Sequence, residues 1–218
     1  MKDHHKKIAI DYADFAAYDR AQRAILRHLL AAFAGGLLVG IVGWFVHTVD
    51  LVPIQEVFDP YAYYALAVIV GMTASGVGWA MLAGLLAALA PLVSTMGGLA
   101  LTGQWNFDSV GGSALGLNFI LLVLFLFALL AYASRRIDVW GDVAVGLIAG
   151  LVLADIVDRA TPGLIARSGA GFWPLPAALV GVVAVAMVFV LRRRLVARAR
   201  ALGVAATTAG VAALPLAL

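Results

Sequence analysis

Two aspartates stand where a carboxylate is costly. Asp142 and Asp155 both fall within the apolar run 139–157. An acid inside a membrane-spanning helix is kept where it pairs, binds a ligand or relays protons. Thirteen positions separate the two, roughly 20 Å of helical rise, so they serve different places. Asp155 has Asp158 and Arg159 within four residues, and an ion pair with Arg159 one turn on is the cheapest way to hold it. Asn118 sits in another apolar run, 113–133. An uncharged polar side chain there either hydrogen-bonds across helices or lines a substrate cavity. Asn118, Asp155 and Asp142 are therefore the candidate substrate-binding residues.

A second group, His47, Asp50, Glu56 and Asp59, carries oxygen and nitrogen donors. They spread across Pro53 with no established ligand spacing, which reads as a solvated acidic segment rather than a metal site. An acid–base enzyme on this face needs Asp50, Glu56, Asp59 and Asp155 to converge on one cavity. The stretch Thr73-Ala74-Ser75-Gly76-Val77, followed by Ala80 and Gly84, resembles the Gly-x-Ser-Gly segment of rhomboid intramembrane proteases. That resemblance implies a serine activated by a histidine from a later span. Here Thr73 replaces the first glycine and no histidine follows His47, and a serine without a base is a weak nucleophile. Cysteine is absent, which excludes disulfides and thiolate metal sites. No phosphate-cradling loop appears, and His47 alone supplies no haem ligation within a span. The expectation is a protein without a catalytic site, metal or cofactor.

The elements that must position these residues follow from composition. Of 218 residues, 64% are apolar and 12% charged, with a mean hydropathy of +1.01. An ordinary soluble domain carries about twice that charge and could not cover so much apolar surface. A soluble enzyme, a disordered chain and a nucleic-acid-binding domain are excluded. The fold class is all-α, a polytopic transmembrane bundle whose partner is the lipid bilayer.

At about 20 residues per span, the apolar runs give six spans. They fall at 29–47, 61–78, 80–102, 113–133, 139–157 and 173–191. The second and third share an uncharged stretch of 48 residues, Pro60 to Phe107, divided at Ser75-Gly76-Val77-Gly78-Trp79. Residues 1–28 form a polar N-terminal segment in which 8–28 read as an amphipathic helix, either lying at the membrane surface and leading into the first span or packed on neighbouring cytoplasmic loops. Residues 29–191 form the membrane domain. Residues 192–218 form a basic, then apolar, tail whose end, 201–218, reads as a surface helix or a disordered tail, with a seventh membrane segment as the third alternative. The apolar run at 29 reads as a retained signal-anchor rather than a cleaved leader.

Threading six spans from a cytoplasmic N-terminus places 13 of the 15 basic residues inside. Only Arg159 and Arg167 fall outside, while Asp50, Glu56, Asp59, Asp108 and Asp158 all do. This is the positive-inside pattern of a plasma-membrane protein, with both termini cytoplasmic.

Three pairs of glycines lie four apart: Gly36 and Gly40, Gly112 and Gly116, Gly146 and Gly150. Such pairs let helix backbones approach closely, within the bundle or against another membrane subunit or a second copy. The functional expectation is a small transporter-like protein or an accessory membrane subunit. The substrate-binding membrane subunits of modular vitamin transporters have similar size and span number, an analogy of architecture alone. The alternative is an intramembrane enzyme using the outer-face acids.

Overall fold

A computed structural model describes residues 12–49, 52–103, 114–160 and 174–213. They form eight helices and no strand: α1 (Tyr12–Thr48), α2 (Val52–Phe58), α3 (Tyr61–Thr73), α4 (Val77–Leu101), α5 (Ala114–Ala133), α6 (Val139–Ala160), α7 (Leu175–Leu191) and α8 (Leu195–Ala213). Four helices are long and apolar enough to cross a membrane: Phe15–Thr48 of α1, α4, Val139–Arg159 of α6, and α8. Shorter apolar helices, Leu117–Ala133 of α5 and α7, accompany them. The division between α3 and α4 falls at Ala74–Gly76. Thr73 ends α3 five residues earlier than the hydropathy pattern suggests.

Close contacts establish how the helices run. A Cβ at Gly36 would lie 2.6 Å from Ala90 Cβ, and Gly98 faces the Trp44 ring. The residue numbers rise together, so α1 and α4 are parallel. Gly35 meets Leu66 and Gly43 meets Tyr63, so α3 runs back between them. Gly84 meets Ala128 while the far end of α4 reaches the start of α5, an antiparallel pair. Gly181 faces Ile156 and Val188 packs with Val145, so α7 opposes α6.

The interior is made of small side chains. Among the described residues, sixteen of the 23 buried apolar side chains are alanine, while Leu38, Phe45, Ile69, Val182 and Val190 face outward. That inversion suits a lipid solvent, where helices associate through close backbone approach rather than burial from water. The α1–α4 seam shows how it works. Pro91 has no N–H for the Ala87 carbonyl, and a Cβ at Gly36 would lie 3.0 Å from that oxygen. A Cβ at Gly40 would collide with Ser94 Oγ and lie 2.6 Å from the Pro91 carbonyl oxygen. Only glycine fits at either position.

Gly146 and Gly150 do the same for α6 and α8. Gly146 faces Ala201 and Val204, and Gly150 faces Ala205 and Thr208. These numbers also rise together, so α8 lies parallel to α6 and level with it. Of the alternatives left open for 201–218, a further helix packed along α6 is the one found, as far as Ala213. The alanines and glycines that dilute its hydropathy are the residues that fit against Gly146 and Gly150. Gly112 lies outside the described residues, and Gly116 falls in the first turn of α5.

Among the described residues, the N-terminal helix is continuous with the first span, since α1 runs unbroken from Tyr12 to Thr48. Its residues 15–24 are exposed throughout and project past the start of α4. The Arg23–Asp19 pair lies along this projection. The alternating directions then place Tyr12 and Ala213 at opposite ends of the bundle, not at the same end.

The turn before α6 is built by Asp138. Its Oδ1 accepts the Gly141 N–H at 3.1 Å, satisfying a donor of the first helical turn. The hydrogen-bonded Arg136 guanidinium holds the Asp138 carboxyl below the usual carboxylate range. The contact is thus fully present above that range and is lost only as pH falls through the lowered value.

Gly40→Leu is expected to lower stability by about 1–3 kcal/mol or more, seen in thermal unfolding in detergent. Leu38→Ala on the exposed face is expected to change it by less than about 0.5 kcal/mol. Topology reporters fused after Leu191 and after Leu218 are expected to read opposite sides of the membrane. The same side for both would contradict the parallel course of α6 and α8.

Candidate functional site

The loop and helix ends opposite the basic turns hold one cluster of charge. Arg159, in the last turn of α6, is its centre. Its Nε lies 3.1 Å from Asp155 Oδ2, one turn earlier. Its Nη1 lies 3.4 Å from Glu56 Oε2 on α2 and donates to the Asp59 carbonyl oxygen at 3.3 Å. The Tyr61 hydroxyl donates to Asp155 Oδ2 at 2.6 Å, and the guanidinium sits 5.9 Å from the Tyr61 ring centre. One arginine thus ties α6 to α2, to the turn at Asp59, and through Asp155 to α3.

The sequence places these groups by breaking a helix. Pro60 lies between α2 and α3 and precedes the first turn of α3. The residues before it, Glu56 and Asp59, therefore sit at a helix break rather than in a continuous span. The Tyr63 and Tyr64 N–H groups both donate to the Pro60 carbonyl, at 3.0 and 3.1 Å.

A cleft of about 630 Å³ opens beside this cluster. Trp44 and His47 of α1, Tyr63 and Tyr64 of α3, Thr95 of α4 and Phe119 of α5 line it, with Asp59 and Arg159 at its rim. Tyr64 stacks on Phe127 with centroids 4.5 Å apart, and Phe58 meets Tyr63 edge to face at 5.9 Å. A Cβ at Gly43 would lie 2.6 Å from the Tyr63 hydroxyl, so glycine there makes room for the ring. The size and the mix of apolar walls with a few convergent polar groups are those of a ligand pocket.

The residues expected to bind substrate separate here. Asp155 joins the cluster. Asp142 lies at the far end of α6, where Asp142 Oδ1 is 3.1 Å from Arg192 Nε and Oδ2 is 3.6 Å from Arg200 Nη1. Arg192 is buried and also donates to the Ser134 and Arg136 carbonyl oxygens at 2.8 and 3.0 Å. That group clamps the α5–α6 turn to the α7–α8 junction and forms no part of the cleft beside Arg159. Asn118 is exposed. Its neighbours Leu117, Phe119 and Ile120 line the cleft while Asn118 does not. Of the four outer acids, Glu56, Asp59 and Asp155 gather around Arg159, and Asp50 lies outside the described residues. Ser75 sits in the α3–α4 turn, away from that cluster.

Sequence reasoning pointed to the Asp155–Arg159 pair but not to the aromatic walls. The signal available was local: three tyrosines in four positions, 61 to 64, directly after Asp59-Pro60.

Arg159→Leu leaves two carboxylates and a carbonyl without their shared partner, and is expected to lower the unfolding midpoint in detergent. The double variant Arg159→Leu/Asp155→Leu is expected to lose less than the two single variants together. The coupling is about 1 kcal/mol for a pair that retains some solvent. Strict additivity would mean that the pair contributes nothing. No protein-family model, curated protein or solved structure matches the chain, so its function is argued from this geometry.

Proposed function

We propose that the protein is a small transporter-like membrane protein that binds its ligand in the cleft beside Arg159. The observation that carries this reading is the cleft itself. It is about 630 Å³, walled by aromatic rings and edged by Asp59 and Arg159. The break between α2 and α3 supports it further, since interrupted helices that line a cavity are the usual place for a membrane carrier's site. In this reading the apolar walls take the body of the ligand, and the rim selects its polar end. The chain performs no chemical step of its own.

The rival reading, an accessory subunit of a larger complex, drew on the glycine pairs. Two of those pairs are engaged within the chain, on the α1–α4 and α6–α8 seams, and so argue for no partner. The enzyme reading drew on converging acids. Arg159 engages both Asp155 and Glu56, an arrangement better suited to holding charge in place than to exchanging protons with a substrate.

Orientation follows from charge in the same reading. The turns bearing Arg135, Arg136 and Arg192–Arg194 face the cytoplasm. The cleft opens outside the plasma membrane, and α8 ends outside as well.

Native mass spectrometry of the protein extracted gently from its own membrane tests this. The expected result is a small bound mass on the wild type, lost in Thr95→Phe, which fills the cleft, and reduced at least tenfold in Asp59→Asn. A second protein in place of the small mass would establish the subunit reading. A bound mass unaffected by both substitutions would move the site elsewhere.

A further inference from the structure

The end of the bundle opposite the cleft carries more positive charge than its own acids neutralise. Asp142 takes Arg192 and Arg200, and Asp138 takes Arg136. Arg135 and Arg198 spend donors on the backbone carbonyls of Ala74 and Arg192, which satisfies their geometry and leaves their charge. Arg193 and Arg194 are exposed and meet no carboxylate among the described residues. Because α6 and α8 are parallel, both also start here, and each adds the positive end of its dipole. The first turn of α8 contains no acid.

The surroundings of this charge are apolar. Ile137 is 90% exposed, Trp140 70% and Leu195 78%. These residues flank the two turns at the level where helices leave the bilayer. A dissolved anion gains nothing from them. A phospholipid gains from both features at once, its phosphate from the arginines and its chains from the apolar border.

We propose that this face is a binding site for an anionic phospholipid, whose headgroup phosphate is held by Arg193 and Arg194 at the start of α8. The lipid lies against the junction that Arg192 and Asp142 clamp, and it braces the α6–α8 pair from the cytoplasmic side. The site is independent of the cleft and of any ligand there.

The test uses the full-length protein in a neutral detergent, titrated separately with dioleoyl phosphatidylglycerol, dioleoyl phosphatidylcholine and inorganic phosphate. Binding is read by native mass spectrometry and by thermal unfolding. The expected result is that phosphatidylglycerol binds and raises the unfolding midpoint, while the other two do not. Arg193→Gln/Arg194→Gln is expected to weaken phosphatidylglycerol binding about thirtyfold, each lost charge being worth about fivefold. Its lipid-free midpoint should match the wild type, since neither side chain is buried. Equal binding of the two lipids, unchanged binding in the double variant, or equal stabilisation by inorganic phosphate would each overturn the proposal.

Discussion

Helices in lipid gain almost nothing from hiding apolar surface, because the solvent is as apolar as they are. They gain from contact, and contact requires that backbones come close. Most of this structure follows from that constraint. Alanine fills the interior, large side chains face out, and glycine appears where another backbone passes. Two seams, α1 against α4 and α6 against α8, are the most extensive of these contacts. Each joins parallel helices, so each needs a returning element between its members. That requirement places α3 beside α1 and α7 beside α6, and leaves α5 to bridge the two halves.

Charge is confined to the two ends, and the ends differ. At one, Arg192 and Asp142 are buried together, with the remaining donors of Arg192 given to backbone carbonyls. Removing Asp142 would leave the buried Arg192 guanidinium without its carboxylate. At the other, Arg159 keeps partial contact with solvent together with Asp155 and Glu56, and Arg159 and Asp59 line a cleft. An ion cluster that is partly hydrated and lies at a helix break can rearrange at modest cost. The first cluster suits holding elements together, and the second suits receiving a ligand.

Much of this was legible in the chain. The glycine pairs at 36 and 40 and at 146 and 150 marked close approach, and the uncharged stretch from Pro60 divided near Ser75 as the turn signals imply. What hydropathy left open was α8. A helix whose role is to fit against glycines must itself be small, and smallness lowers the very score that marks a span. The continuity of α1 was hidden for a related reason. Polarity changes at Arg27 and His28, but polarity does not end a helix, and no proline interrupts residues 12–48. The site was half visible. Asp155 and Arg159 announce themselves by spacing, whereas the convergence of Glu56 and Asp59 from about a hundred positions away depends on tertiary packing. Asn118 drew attention by its type, yet its rotation about α5 leaves it outside the cleft that its neighbours line. Periodicity alone does not settle which face of a uniformly apolar helix turns inward.

The length of α1 has a consequence for reach. A helix of 37 residues is about 55 Å long, well beyond the roughly 30 Å of a hydrocarbon core. Its packing on α4 runs from Ala32, clustered with Ala83 and Ala87, to Trp44 opposite Gly98, so the helix is held along its length rather than at one point. The surplus falls at the N-terminal end, where the exposed turns around Phe15 and Tyr18 stand clear of α4.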